Sequence, residues 1–584
     1  LSPHPLRSRR ARRLAVVGLA AVTTLAVTTS TASATPALPT ASKTVSAATS
    51  GLLGTLTSLL PSGLFDDVLW GDTKADDVST GLNGKNDPGI DPGSLYTIEK
   101  AIGARQVWLS KDSTGRQVTG QGVTVAVLDS GTATVAGLDG AGKVTYGPDL
   151  SIESNGTLTD KDTFGHGTVM SGIIAVRDKA TLTTATIPTL SPAIQLGVAP
   201  DASLLSLKLA TTDGSTDVSQ IIAALDWVTA HPTNADGSRI RVINLSFGTD
   251  SLQSYQLDPL AAAAENAWHH GIVVVVSGGN EGSTAGHLTN PAIDPYLISV
   301  GAATSNNVAA GWVAPRAASF SNSGSATRHV DLIAPGQSIA GLRTPGSFVD
   351  TTHPEGRVRG DVSGRLFRGS GTSQAAAVVS GAVALLLQAY PTLTPDQVKA
   401  ALVSSATPVL DTPTNAGAGE LNVAAALAKA ATLVKPATIA GKATASPAAQ
   451  SFPIATGQGS LNAARGGNVL VDADGNPLDG EIDVQGTPWN AKAWWAATST
   501  VTAWKGGLWM GTRWTGDGWL AAGDGYLSAR WSSARWSSAR WSDADWSSAR
   551  WSSARWSSAR WSSARWSSAR WSDAGWGGGY VAPR

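Results

Sequence analysis

Between residues 94 and 432 the chain alternates short, unbroken apolar runs with stretches of helical periodicity. The run Val123-Thr124-Val125-Ala126-Val127-Leu128 is rich in β-branched residues and stops at Asp129-Ser130-Gly131. It predicts a strand buried on both faces that empties into a loop at its carboxyl end. Residues 204–209, 242–245, 272–276, 297–300 and 330–333 repeat the pattern. Between them, residues 217–231 place Ile221, Ile222, Leu225 and Val228 on one helical face, and a second helical stretch over 260–270 stops at Gly271. Strands and helices alternating over this length predict an α/β fold, a doubly wound, mostly parallel sheet with helices on both faces, in which ligands bind at the carboxyl ends of strands. Asp129 stands at one such end.

The flanks read differently. Residues 1–34 carry five arginines, an apolar run over 14–27 and the small-residue site Ala32-Ser33-Ala34, which together predict an export signal. Residues 35–92, rich in Thr, Ser, Ala and Gly, are expected to be a pro-segment or spacer ahead of a domain over 93–432. Residues 433–485 read as a linker, and 486–584 as a tail with tryptophan at a five-residue spacing: Trp489, Trp494, Trp504, Trp509, Trp514 and Trp519, then, after a phase shift, Trp531 through Trp576. That period matches neither helix nor strand, so the tail has no apolar face of its own. It is either a low-complexity stalk, an adhesive module whose Trp and Arg contact cell wall or another anionic surface, or a coil of stacked rings.

Composition narrows the classes. The 584 residues hold no cysteine, which excludes disulfides and thiolate metal sites. A net charge of zero conceals five arginines at the amino end and, over residues 528–584, nine Arg against three Asp. The body between is therefore acidic, and a nucleic-acid partner is not expected. The longest apolar run follows Ser373 and is interrupted by Ser380 and Gly381, so no transmembrane helix is expected in the mature chain.

Candidate chemistry lies at the element boundaries. Gly369-Ser370-Gly371-Thr372-Ser373 runs into a long apolar helix, placing Ser373 in a first turn whose unpaired N–H groups favour negative charge. Alone, this serine reads equally as a cap. His166 sits between Gly165 and Gly167 at another helix start, and Asn280 follows Ser277-Gly278-Gly279 at the end of the 272–276 strand. Each taken singly is an ordinary turn residue. Taken together, Ser373, His166, Asp129 and Asn280 are the residue types needed for a nucleophile, its base, the acceptor that orients the base, and an oxyanion donor. Asp before His before Ser is a known chain order for such a triad.

The segments Val127-Leu128-Asp129-Ser130-Gly131, Gly165-His166-Gly167-Thr168, Gly197-Val198-Ala199-Pro200, Val242-Ile243-Asn244-Leu245-Ser246-Phe247-Gly248, Gly279-Asn280-Glu281-Gly282 and Gly371-Thr372-Ser373 resemble, in order, the motifs of the subtilisin-like serine peptidases. The resemblance implies a secreted serine endopeptidase acting on polypeptides through an acyl-enzyme. Ser373 would be nucleophile, His166 base and then acid, Asp129 its orienting partner, and Asn280 with the Ser373 N–H the oxyanion site. Ser246, Phe247, Gly248 and Gly279 would line the substrate cleft, with residues 210–214 as the opposing edge. A surface or structural protein with a degenerate or self-processing peptidase domain is the alternative.

The resemblance is incomplete in three places. Ala377 stands where the family carries proline, a residue tolerated rather than required in the first helical turns. No cofactor is implied for the chemistry, and the structural calcium of many relatives is not supported by the loop before Gly197 (178–195), which lacks an Asn-rich turn. The pro-segment is shorter than a folded inhibitor domain.

Overall fold

The computed structural model describes residues 86–516 apart from 155, 305–314, 435–437, 440, 441, 444–447, 469, 471–477 and 479, together with residues 534 and 535. The export signal, nearly all of the pro-segment and the repeat from Trp519 onward, residues 534 and 535 apart, lie outside the described residues.

The first eight strands are β1 (Val123–Asp129), β2 (Val144–Tyr146), β3 (Ser203–Lys208), β4 (Ser215–Thr216), β5 (Arg239–Leu245), β6 (Val273–Ser277), β7 (Ile298–Ala303) and β8 (Leu332–Pro335). Seven of them form one sheet in the order β2-β3-β1-β5-β6-β7-β8, every pair parallel. All residues of β1 and β6 are buried, as their unbroken apolar runs require. The sequence pattern misses β2, whose three residues are half-buried or exposed and carry no such run. From β1 the chain builds β2 and β3 on one side and then crosses to β5 on the other. Strand order thus reverses beside β1, and the crevice outside its carboxyl end is where such sheets hold ligands.

Helices cover both faces. The helix Val218–Ala230 begins at Asp217, whose side chain accepts from the Ser219 N–H within a capping box completed by Gln220. It packs against Pro259–His269. The helix His166–Ala175 packs against Thr372–Ala389, which runs beneath β1, β5, β6, β7 and β8. That last helix is long and apolar enough to cross a membrane, but it is buried inside the domain. Ala377 sits in it without exposure, so its first turns form without the family's proline.

Residues 448–516 depart from the expected linker and tail. Ala455, Leu461, Ala464, Val484, Trp494, Trp509 and Trp514 join the same core as the sheet. The Trp494 and Trp509 indoles both donate to Asp226 Oδ2, at 3.0 and 2.8 Å, and Thr498 Oγ1 donates to Oδ1 at 2.9 Å. Trp504 donates to the Ala223 carbonyl at 2.7 Å. A five-residue period makes one face here because the backbone changes between rings. Trp494 lies in the helix Ala491–Thr498, and Trp504 pairs with Trp509 across a two-residue hairpin ladder. The domain supplies the apolar surface that the segment cannot make alone. Farther on, Ala534–Arg535 pairs antiparallel with β4.

Candidate active site

Asp129 is the last residue of β1, and His166 opens the helix that packs along Thr372–Ala389. The His166 ring lies against the Asp129 carboxylate, with Nδ1 2.8 Å from Oδ1 and 2.9 Å from Oδ2, and both side chains are fully shielded from water. Burial pushes the Asp129 carboxyl above its usual range, and the facing imidazole pulls it back. A carboxylate at this position fixes the ring so that Nδ1 carries the proton and Nε2 is the basic nitrogen.

The histidine loop is held by residues that sequence reasoning did not single out. Asp162 Oδ1 accepts from the Gly165 N–H at 2.7 Å and from Ser130 Oγ at 2.8 Å. Its Oδ2 accepts from the Thr168 N–H at 2.8 Å and from Thr168 Oγ1 at 2.6 Å. Ser130 Oγ in turn accepts from the Gly167 N–H at 2.9 Å. An Asp four residues before a helix-opening His was the available signal, since such side chains commonly satisfy first-turn N–H groups. Gly167 is required by contact, because a Cβ there would come within 2.0 Å of the Gly131 carbonyl oxygen.

Ser373, Asn280 and Ser246 meet at the carboxyl ends of β5, which neighbours β1 in the sheet, and β6, the next strand out. Asn280 Oδ1 accepts from the Thr372 N–H at 2.8 Å and from Thr372 Oγ1 at 3.0 Å. A backbone N–H can only donate, so the oxygen is the end turned to Thr372 and Nδ2 is directed elsewhere. Ser246 Oγ donates to the Ser373 carbonyl at 3.1 Å, and Ser373 Oγ donates to the Ser246 carbonyl at 3.4 Å. Gly279 donates its N–H to Thr372 Oγ1 at 3.2 Å, tying that loop to the serine helix. Ser246 and Phe247 are buried, and Ser277 Oγ donates to the Phe247 carbonyl at 3.5 Å. Gly248 packs on Thr289, leaving 2.5 Å between a Cβ and its hydroxyl. Thus the expected residues gather along one sheet edge, in two groups joined by the packing of their helices.

In the loop before Gly197, Asp178 is held by Arg365, with Nη2 to Oδ1 at 2.7 Å and Nη1 to Oδ2 at 3.2 Å. Among the described residues no cluster of three or more His, Cys, Asp or Glu is arranged to hold a metal.

Residues 120–426 match the Subtilase family. The chain is 33% identical over 334 residues to the serine protease AprX of Bacillus subtilis, covering 56% of this chain and 70% of that protein. It is 32% identical over 310 residues to subtilisin DY of Bacillus licheniformis, covering 53% and 91%. A solved structure of a cold adapted subtilisin-like serine proteinase aligns at 26% identity and a TM-score of 0.39, over 55% of this chain and 97% of that one.

Proposed function

The chain belongs to the subtilase family and is a subtilisin-like serine endopeptidase, and we propose that it hydrolyses peptide bonds with Ser373, His166 and Asp129 as a triad and Asn280 as an oxyanion donor. Ser373 Oγ attacks the scissile carbonyl carbon while His166 Nε2 takes its proton. Asp129 holds the ring and stabilises the imidazolium that forms. Asn280 Nδ2 and the Ser373 N–H receive the negative charge that develops on the carbonyl oxygen. The protonated His166 gives its proton to the leaving amine, and a water molecule repeats the sequence on the acyl-enzyme. The observation that carries this reading is the two-oxygen contact of Asp129 with His166 Nδ1, both side chains being fully buried.

Ser246, Phe247, Gly248 and Gly279 are assigned to the substrate cleft. Pairing with an extended backbone there favours unfolded polypeptides over any particular sequence. The chemistry is assigned no cofactor. The amino-terminal pattern supports export and an extracellular location, checked by sequencing the amino terminus of the mature protein. The Trp and Arg repeat beyond the docked region is assigned to anionic surface contact. Binding of the full chain to purified cell envelope that is lost at high salt supports that assignment, and no retention at low salt overturns it.

The deciding test is fluorophosphonate labelling together with casein hydrolysis. Wild-type protein is expected to show both and Ser373→Ala neither. Folded wild-type protein that shows neither would overturn the mechanism.

A further inference from the structure

Arg465 lies outside the residues that match the family and is fully buried. Its Nε donates to Asp217 Oδ2 at 2.8 Å, and Nη2 donates to Asp217 Oδ1 at 3.2 Å and to the Ile482 carbonyl at 2.7 Å. Asp217 is equally buried and caps the helix Val218–Ala230. Removing both ions from water costs several kcal/mol each, so such a pair is poor evidence for stability alone. Its location points to a second role.

Asp217 directly follows β4. Gly214, just before β4, lies so close to the Phe164 ring that a Cβ there would be 2.9 Å from it, and Phe164 is two residues from His166. This edge accepts an added strand, because Ala534–Arg535 pairs with it antiparallel. The same short stretch that carries Arg465 also reaches the opposite wall. The Ala464 carbonyl accepts from Thr249 Oγ1 at 2.7 Å, and Gly466 sits against the Asp250 backbone, with 2.8 Å left for a Cβ. Thr249 directly follows Ser246-Phe247-Gly248. Residues 464–466 therefore touch the residue that follows β4 and the residues that follow 246–248, the stretch bonded to Ser373.

We propose that Arg465 is a positioning residue of the substrate cleft: residues 464–466 set the spacing of β4 against residues 246–248, and with it the grip on an extended polypeptide. This rests on the assignment of residues 246–248 to the cleft and of residues 210–214, which lead into β4, to its opposing edge. Lengthening a peptide substrate strengthens binding only while both walls are in register with it, whereas a small reagent that reaches Ser373 does not sense the spacing.

The test uses the full chain and two readouts, the rate of fluorophosphonate labelling and kcat/KM for peptides lengthened one residue at a time on either side of the scissile bond. For Arg465→Gln, labelling is expected within about twofold of wild type, while the gain from lengthening on one side falls at least about tenfold, mostly through KM. Arg465→Lys keeps the charge without the planar fork and is expected to fall between the two. Thr249→Val, which removes the hydrogen bond to the Ala464 carbonyl and a longer one from Asn290 Nδ2 and leaves the buried ions paired, is expected to shift the same length dependence by about two- to threefold. It carries the test if Arg465→Gln does not fold. Unaltered length dependence in folded variants, or an equal loss across all lengths and in labelling, overturns the proposal. Wild-type protein that is not labelled overturns the catalytic assignment, and this one with it.

Discussion

The sheet edge that carries Asp129, His166, Asn280 and Ser373 and the docked segment over residues 448–516 use the same kinds of interaction for different ends. Both bury a carboxylate. At the edge, Asp129 faces an imidazole that gains and loses a proton in the proposed reaction, and its surroundings fix one ring orientation. In the docked segment, Asp226 faces two indoles and a hydroxyl that never change charge, and the arrangement fastens chain to helix. Of the two buried acids, the one assigned to the reaction is the one whose partner can titrate.

On that contrast, damage at the edge removes turnover and leaves the fold, and damage to the Asp226 anchor of the docked segment does the reverse. The largest effect is expected for Asp129→Asn. Its kcat should fall by about 10⁴, the loss established for Ser-His-Asp enzymes of this kind rather than one derived from these distances, because the amide favours the wrong tautomer of His166. Its melting temperature should stay within a few degrees of wild type. A large fall in melting temperature would show that the pair is structural as well.

Trp509→Ala is the converse. The ring is buried against Trp514, with centroids 4.7 Å apart, and its removal also deprives Asp226 of a donor. Stability measured by denaturant unfolding should fall by about 3–5 kcal/mol, with fluorophosphonate labelling under native conditions little changed. Asn280→Ala returns to the edge, with kcat expected to drop about 10²–10³-fold, again the known cost of one oxyanion donor in this family. A loss in KM alone would place Asn280 in substrate binding instead.

The two regions also differed in how far the sequence revealed them. The edge was legible because its residues sit where unbroken apolar runs stop. The run ending at Val276 led to Asn280, and the glycines flanking His166 and preceding Ser373 marked helix starts. Asp162 and Thr372, which hold that edge in place, were not singled out, because an Asp or Thr near a helix start is so common that its partner cannot be guessed. The docked segment was illegible for a different reason. A five-residue spacing has no face on any regular element, and the surface it needs, around Ala223 and Asp226, lies some 270 residues earlier in the chain. Arg465 in a Gly- and Ala-rich stretch read as linker because nothing near it in the chain points to its partner, Asp217, which lies 248 residues earlier.

The smallest expected effect is the most direct test of what separates the two carboxylates. Burial pushes Asp226 up to about 6, with the Trp509, Trp494 and Thr498 hydrogen bonds pulling the other way. In the unfolded chain an aspartate titrates near 3.9, so the folded state favours the protonated form. Above pH 6 the charged form carries its full desolvation cost, and that cost is relieved as pH falls from about 7.5 to 4.5. Asn cannot titrate and can still accept from an indole. The unfolding free energy of wild type minus that of Asp226→Asn should therefore rise by about 2 kcal/mol over this interval, which cancels the contributions of other buried acids. Both proteins should carry Ser373→Ala, so that unfolded chains are not digested during the measurement. A flat difference would mean that the two indoles and the hydroxyl hold Asp226 charged throughout, and that burial there is outweighed as it is opposed at Asp129.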